Sequence, residues 1–263
     1  MRTYSYSRGK IDYRSKRMII ADLDGTLSED REEIAAKTAE LINTLLKNRS
    51  FAVITAARYA RLNYQVVRVL SAAGGKKLFT KMYLLPQSAT RMHIFAKGGW
   101  KRMYAENLSV AERARIKAAL RECIRTLGYG SGKTYGKVVD DRISQISFAA
   151  LGQRAPLELK RRWDPTGRKR ARIARFLEEL IPEFRIGIGG VSTVDITKRG
   201  RDKSYGIKMI TKRLGYKKAD MLYIGDRLMK GGNDYPVRAE GVDCIQVSGP
   251  SETNKVLNEI INS

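Results

Sequence analysis

Arg17-Met18-Ile19-Ile20-Ala21-Asp22-Leu23-Asp24-Gly25-Thr26-Leu27 sets two carboxylates and a hydroxyl just beyond a short apolar run. The run reads as a strand. Side chains alternate along extended backbone, so Asp22 and Asp24 are expected to project the same way, and Gly25 permits a tight turn directly after them. One aspartate can attack phosphorus while the other moves a proton. A buried carboxylate pair repels itself, which calls for a divalent cation; Mg2+, a hard ion with oxygen ligands, suits both the carboxylates and a phosphate.

Working outward, a second aspartate follows a later apolar run, Met221-Leu222-Tyr223-Ile224-Gly225-Asp226, with Gly231-Gly232-Asn233-Asp234 beyond it. Gly200-Arg201-Asp202-Lys203 sets a lysine at the start of a helix read from Tyr205 to Leu214. Between them in the chain, Phe51-Ala52-Val53-Ile54-Thr55 ends a strand on Thr55, although aligning on Arg58 instead would put Ala56 at that place. In this order the strings resemble the motifs of the haloacid dehalogenase superfamily of phosphohydrolases and phosphomutases. The resemblance implies Asp22 as nucleophile, Asp24 as general acid and base, and Thr55 and Lys203 holding the transferring oxygens. Mg2+ is then expected between Asp22, the backbone carbonyl of Asp24 and Asp226, with Asn233 and Asp234 completing or orienting its shell.

The coarse pattern alternates strand and helix on both sides of a different middle. Strand Met18 to Asp22, helix Arg31 to Lys47, strand Phe51 to Thr55 and helix Tyr59 to Ala72 argue for a parallel sheet covered on both faces. A capping box, Ser109-Val110-Ala111-Glu112, opens a helix to Leu127. Strands at Arg142 to Leu151 and Phe184 to Thr197 flank a basic helix, Arg168 to Leu180. The fold class expected is therefore α/β, a Rossmann-like parallel-sheet core with an inserted α+β cap. The boundaries read as a basic leader at 1–16, core at 17–88, cap at 89–195 and core again at 196–263.

Such a cap between the second and third motifs resembles the subfamily that includes phosphomannomutases and sucrose-phosphate phosphatases. The chain also resembles, more specifically, the eukaryotic phosphomannomutases. Against them, Arg31 and Arg142 match phosphate-binding arginines, Asp195 matches a sugar-binding aspartate, and Thr193 replaces a serine. Alternation puts Thr193 and Asp195 on one strand face. A family Gly-Arg late in the cap strand is here Gly152-Gln153, with Arg154 one place along, and Lys160 or Arg161 stands near another expected arginine. Lysine does not replace the bidentate contact of a guanidinium. A weakened clamp on a second phosphate favours hydrolysis of a hexose phosphate or similar small phosphoester; interconversion of hexose 1- and 6-phosphates is the alternative.

Composition sets looser bounds. The 263 residues are 43% hydrophobic and 30% charged, ordinary for a globular chain. No stretch approaches the roughly 20 apolar residues of a membrane span, and Met1 to Lys16 lacks the apolar centre of a secretory signal. Two distant cysteines, Cys123 and Cys244, make neither a disulfide framework nor a zinc site, so a reduced, cytoplasmic setting is expected. His93, the single histidine, reads as structural. With 51 Lys and Arg against 27 Asp and Glu the formal charge is +24, which attracts polyanions. The excess is spread along the chain and no familiar nucleic-acid motif is present, so a generally basic surface is preferred over a polyanion-binding protein built on a phosphatase fold.

Overall fold

The structure, a computed structural model, describes Tyr4–Ser5 and residues 11–263. Two compact units emerge: one runs up to Ala105 and resumes at Asp202, and the other is Glu106–Arg201. Of the basic leader, residues 1–3 and 6–10 lie outside the described residues. Tyr4–Ser5 (β1) pairs antiparallel with a late strand of the first unit, and Ile11 and Tyr13 pack against its core. Lys16 is buried, its ammonium donating to the Ala219 carbonyl and lying 2.6 Å from Asp243 Oδ2. The described part of the leader is thus structural.

The first unit begins with Met18–Ala21 (β2), whose four residues are fully buried. Helix Ala36–Asn48 (α1) starts five residues later than the sequence pattern suggests. Arg31 stands at φ +67° with its N–H given to Asp24, which holds the intervening chain in turns. Ser50–Ile54 (β3) follows, then one continuous helical rod: Tyr59–Leu62 (α2), a π-helical stretch Asn63–Val67, and Arg68–Ala72 (α3). Met82–Leu85 (β4) precedes a hairpin, Arg91–Ala96 (β5) and Gly99–Ala105 (β6). The cap boundary read at residue 89 is corrected here, because this hairpin extends the large sheet of the first unit. Its Lys97-Gly98 turn has φ positive at both positions, the twist that suits a two-residue hairpin.

The inserted unit carries Val110–Leu127 (α4), opened by the expected Ser109/Glu112 capping box and closed by Gly128 at φ +70°. The single strand expected at Arg142–Leu151 is instead two, Val139–Asp141 (β7) and Ile146–Ala149 (β8), because Ile143 at φ +71° turns the chain between them. Leu157–Trp163 (α5) and Arg168–Leu180 (α6) precede the hairpin Phe184–Gly189 (β9) and Thr193–Lys198 (β10). The four strands form an antiparallel sheet in the order β7-β8-β10-β9. Alternation gives it two unlike faces. Phe148, Ile146, Val194 and Ile196 join the core made with Ile116, Leu120, Ile173 and Leu177 of the helices, while Asp140, Ser147 and Asp195 form a cross-strand row on the other face.

The first unit resumes with Lys203–Leu214 (α7), Met221–Gly225 (β11), Tyr235–Ala239 (α8), Asp243–Gln246 (β12) and Pro250–Ile261 (α9). Its sheet runs β1-β12-β11-β2-β3-β4-β5-β6, parallel from β12 to β4. One core lies on each face: Leu41, Leu45, Leu257 and Ile260 of α1 and α9 on one, Ile207 and Ile210 of α7 on the other. This is the α/β class expected. No helix among the described residues is long and apolar enough to cross a membrane.

Candidate active site

In the first unit the chain leaves β2 toward β3 on one side, and β11 returns on the other, so the strand order switches direction between β2 and β11. Ligands of open parallel sheets bind at the carboxyl ends of strands beside such a switch. Asp22 follows β2, Asp226 follows β11 and Thr55 follows β3, all at that end.

Three carboxylates, from Asp22, Asp226 and Asp234, offer oxygens within 4.8 Å of one another. Lys203, the first residue of α7, is 3% exposed and places Nζ 2.7 Å from Asp22 Oδ1 and 2.6 Å from Asp234 Oδ1. Asp202 caps α7, accepting from the Ser204 amide at 2.9 Å and hydroxyl at 2.6 Å, which fixes the helix end that carries the lysine. Asp234 is held on every side: the Tyr223 hydroxyl donates to Oδ1 at 2.5 Å and the Arg227 amide to Oδ2 at 3.1 Å. Gly25 stands at φ +83°, and a Cβ there would lie 2.8 Å from Asp226 Oδ2. It thus serves both the turn and the close approach of Asp226.

Three carboxylates face one lysine in a buried place. Burial, with the neighbouring carboxylates, raises Asp22 to about 8 despite Lys203, and burial followed by Asp234 raises Asp226 to about 6. Asp22 and Asp234 in turn raise Lys203 against the effect of its burial. Asp226 Oδ1 is buried with no hydrogen-bond partner, as is Asn233 Oδ1. Surplus negative charge, hard oxygen donors and an orphaned carboxylate oxygen fit a divalent cation such as Mg2+.

The remaining candidates in this unit are arranged differently from the sequence reading. Asp22 and Asp24 were expected on one strand face, but β2 ends at Ala21 and the two carboxylates take separate partners. Asp24 Oδ1 accepts from the Arg31 amide at 2.9 Å, and its Oδ2 pairs with Arg61. Arg61 was not anticipated; it belongs to no motif, and only the fold brings α2 to Asp24. The Thr55 hydroxyl is buried and accepts from the Ala57 amide at 3.1 Å, leaving its own proton to donate.

Arg142, Thr193 and Asp195 belong to the inserted unit. Arg142 Nε donates to Asp140 Oδ2 at 2.9 Å and Nη2 to Gln153 Oε1 at 3.4 Å. Lys160, buried, donates to the Gln153 carbonyl at 3.5 Å, while Arg161 and Arg154 are exposed. Of the two basic residues considered near the missing arginine, the lysine is therefore the one that joins this cluster. Asp195 is buried in the polar row, and burial raises it although Arg142, Ser147 and Gln145 favour its charge. A Cβ at Gly189 would stand 2.5 Å from Asp195 Oδ2 and 3.0 Å from Thr193 Oγ1, so glycine keeps this patch open. Asp140 and Ser147 were missed, although alternation from Arg142 and Phe148 marks them as polar-face positions.

The family model of eukaryotic phosphomannomutase matches residues 130–263, just over half of the chain. A phosphomannomutase of Encephalitozoon cuniculi is 23% identical over 257 residues, covering 94% of this chain and 94% of that protein. A probable phosphomannomutase of Caenorhabditis elegans is 22% identical over 258 residues, covering 94% and 96%. Among solved structures, IMP-bound Plasmodium falciparum IMP-nucleotidase superposes with a TM-score of 0.70 at 18% identity, over 94% of this chain and 68% of that one. A haloacid dehalogenase-like hydrolase from Bacteroides thetaiotaomicron gives 0.57 at 14% identity, over 84% of each. These two likenesses speak for the fold alone. The chain belongs to the eukaryotic phosphomannomutase family, and it shares its fold with the haloacid dehalogenase-like hydrolase.

Proposed function

We propose that this enzyme moves a phosphoryl group through an aspartyl-phosphate on Asp22, and that it interconverts hexose 1- and 6-phosphates. The observation that carries the first part is Lys203, clamped between Asp22 and Asp234 in a buried carboxylate cluster. The second part is supported by the extent of the family match, since residues 130–263 take in the whole polar row around Arg142 and Asp195 as well as the lysine and the late aspartates.

Asp22 attacks phosphorus through a carboxylate oxygen, forming the acyl-phosphate bond as the bond to the sugar oxygen breaks. Lys203 favours the ionised form of Asp22 that attack requires. Asp24 gives its proton to the leaving oxygen and later takes one from the hydroxyl that receives the phosphoryl group, and Arg61 and the Arg31 amide hold its carboxyl in place. Mg2+ held by Asp22 and Asp226, and supported by Asn233 and Asp234, would neutralise charge on the transferring oxygens. Lys203 and the Thr55 hydroxyl hold those oxygens. By the family resemblance, Arg142, Thr193 and Asp195 of the inserted unit are the groups that would recognise the sugar and its second phosphate.

Hydrolysis of a hexose phosphate is the second reading, favoured by Gln153 and Lys160 in a cluster where the family resemblance leads one to expect arginines. The two part on one assay. Isomerisation of mannose 1-phosphate or glucose 1-phosphate that requires Mg2+ and a hexose 1,6-bisphosphate supports the mutase; phosphate release without isomerisation supports the phosphatase. The Asp22→Asn chain is expected to do neither.

A further inference from the structure

We infer that the solvent-facing ridge of α6 docks the phosphate backbone of a nucleic-acid duplex, an activity separate from the phosphoryl-transfer site. Arg170, Ile173, Ala174 and Leu177 turn inward from this helix. At 3.6 residues per turn the diametrically opposite line carries Arg168, Arg172 and Arg175, all exposed and rising over about 10 Å, before exposed Glu179 ends the basic row. The ion pair of this helix belongs to Arg170, whose Nε lies 2.7 Å from Asp164 Oδ2; the three ridge arginines make none among the described residues. Arg161 and Arg162 of α5 are exposed nearby in sequence, and Lys169 lies 5.3 Å over the Trp163 ring, which is itself braced edge-on by Tyr129.

The order of charge along the helix is the second, independent observation. The first turn of α6 holds no acid and the last holds no base. Arg168, Lys169 and Arg170 sit where the helix dipole is positive, and Glu178 and Glu179 where it is negative, the reverse of the arrangement that stabilises a helix. Helix α4 of the same unit follows the favourable order, with Glu112 in its first turn and Arg125 in its last. The basic end of α6 is therefore not explained by helix stability. Its free amides are not the attraction either, because Asp164 accepts from the Lys169 and Arg170 amides at 3.1 Å each.

A row of exposed arginines suits a partner with regularly spaced charges rather than a single small anion, and a duplex carries one charge per about 1.7 Å of its axis. An anionic membrane fits less well. Interfacial helices bury an apolar face among lipids, whereas the apolar face of α6 is consumed by the core and its ridge has no apolar side chain to insert. The formal charge of +24 adds long-range attraction.

The test is fluorescence anisotropy of the whole chain with a labelled duplex of about 20 base pairs, two helical turns, across about 50 to 200 mM salt. R168E/R172E/R175E is compared with K76E/K77E/K212E, which removes the same charge from exposed positions of the first unit. The ridge variant is expected to flatten the slope of log affinity against log salt by about 3 and to weaken binding at least about tenfold, while the control stays within about 1 of the original slope. Only Arg168→Glu falls in the first turn, where it favours the helix dipole, while Arg175→Glu sets a like charge beside Glu178 and Glu179, so binding by both variants is read below their own melting temperatures. Equal losses in both variants would overturn the proposal in favour of diffuse charge attraction. So would absence of duplex binding by the unaltered chain, or ridge-dependent binding only to vesicles of anionic lipid.

Discussion

Lys203 concentrates the physical problem of the site in one side chain. Asp22 and Asp234 each place an oxygen within 2.7 Å of its ammonium, and all three residues are nearly inaccessible. Removing one partner of a buried charge network leaves the others uncompensated, a cost of about 3–5 kcal/mol. Lys203→Met is thus expected to lower the melting temperature as well as abolish turnover, and to lower it more at pH 8 than at pH 5, where Asp22 is protonated in the metal-free protein. Thermal melts of the chelated variant at the two pH values check this; equal losses would contradict it. At this scale the sequence was most legible where strand ends and glycines fix the chain locally: Asp22, Lys203 and Asp226 could be read because each follows a recognisable local signal. Arg61 could not, since its partner Asp24 is 37 positions away and no spacing rule joins them.

Elements are placed by packing that a single sequence reveals only in part. Helix α7 lies on the sheet through Gly206, where a Cβ would come within 2.7 Å of Ile54 Cδ1 and 3.0 Å of Ala89 Cβ. Gly206→Leu must lift the helix, and Lys203, one turn earlier, moves with it. We expect a loss of stability at the upper end of the about 1–3 kcal/mol typical of overpacking, although leucine is the better helix former by about 1 kcal/mol, together with a fall in kcat. Denaturant unfolding and steady-state kinetics measure both; unchanged kcat would show that the helix does not set the position of the lysine. Helices α4 and α6 were readable nearly to the residue because of capping and strong amphipathic patterns. The β5–β6 hairpin was not. Its register shifts between Met92 and His93, which breaks the simple alternation that announces a strand pair.

For the whole molecule, the buried site makes stability depend on pH in a direction that can be worked out. Asp22 is ordinarily near 3.8 and is raised to about 8, so between those values the native chain binds more protons than the unfolded one, and stability falls as pH rises. Asp226, raised to about 6, adds to this at the lower end. His93 acts oppositely: burial, with Arg91 and Arg102, lowers it from 6.5 to about 4, so its contribution grows as pH rises through that window. From pH 6.5 to 8 only the effect of Asp22 remains among these groups. The chelated protein should therefore melt at lower temperature at pH 8 than at pH 6.5, with Asp22→Asn flattening the change and added Mg2+ raising the melting temperature most at pH 8. A melting temperature that climbs over this interval in the chelated protein would contradict the placement of a proton on Asp22. The α/β class and the inserted module were legible at this scale from alternation alone; the junction at Ala105 was not, because a hairpin can belong to either side of a boundary until its pairing partner is known.

The most direct measurement of the central claim is whether Asp22 carries the phosphoryl group during turnover. The chain would be mixed with Mg2+ and a hexose 1,6-bisphosphate labelled in its phosphates, quenched in acid and mapped by peptide. The account predicts label on the peptide containing Asp22, its disappearance on chase with unlabelled hexose monophosphate, and none in Asp22→Asn. Turnover of a phosphoester at the same rate by the intact and Asp22→Asn chains, with no label or with label on another residue, would contradict it.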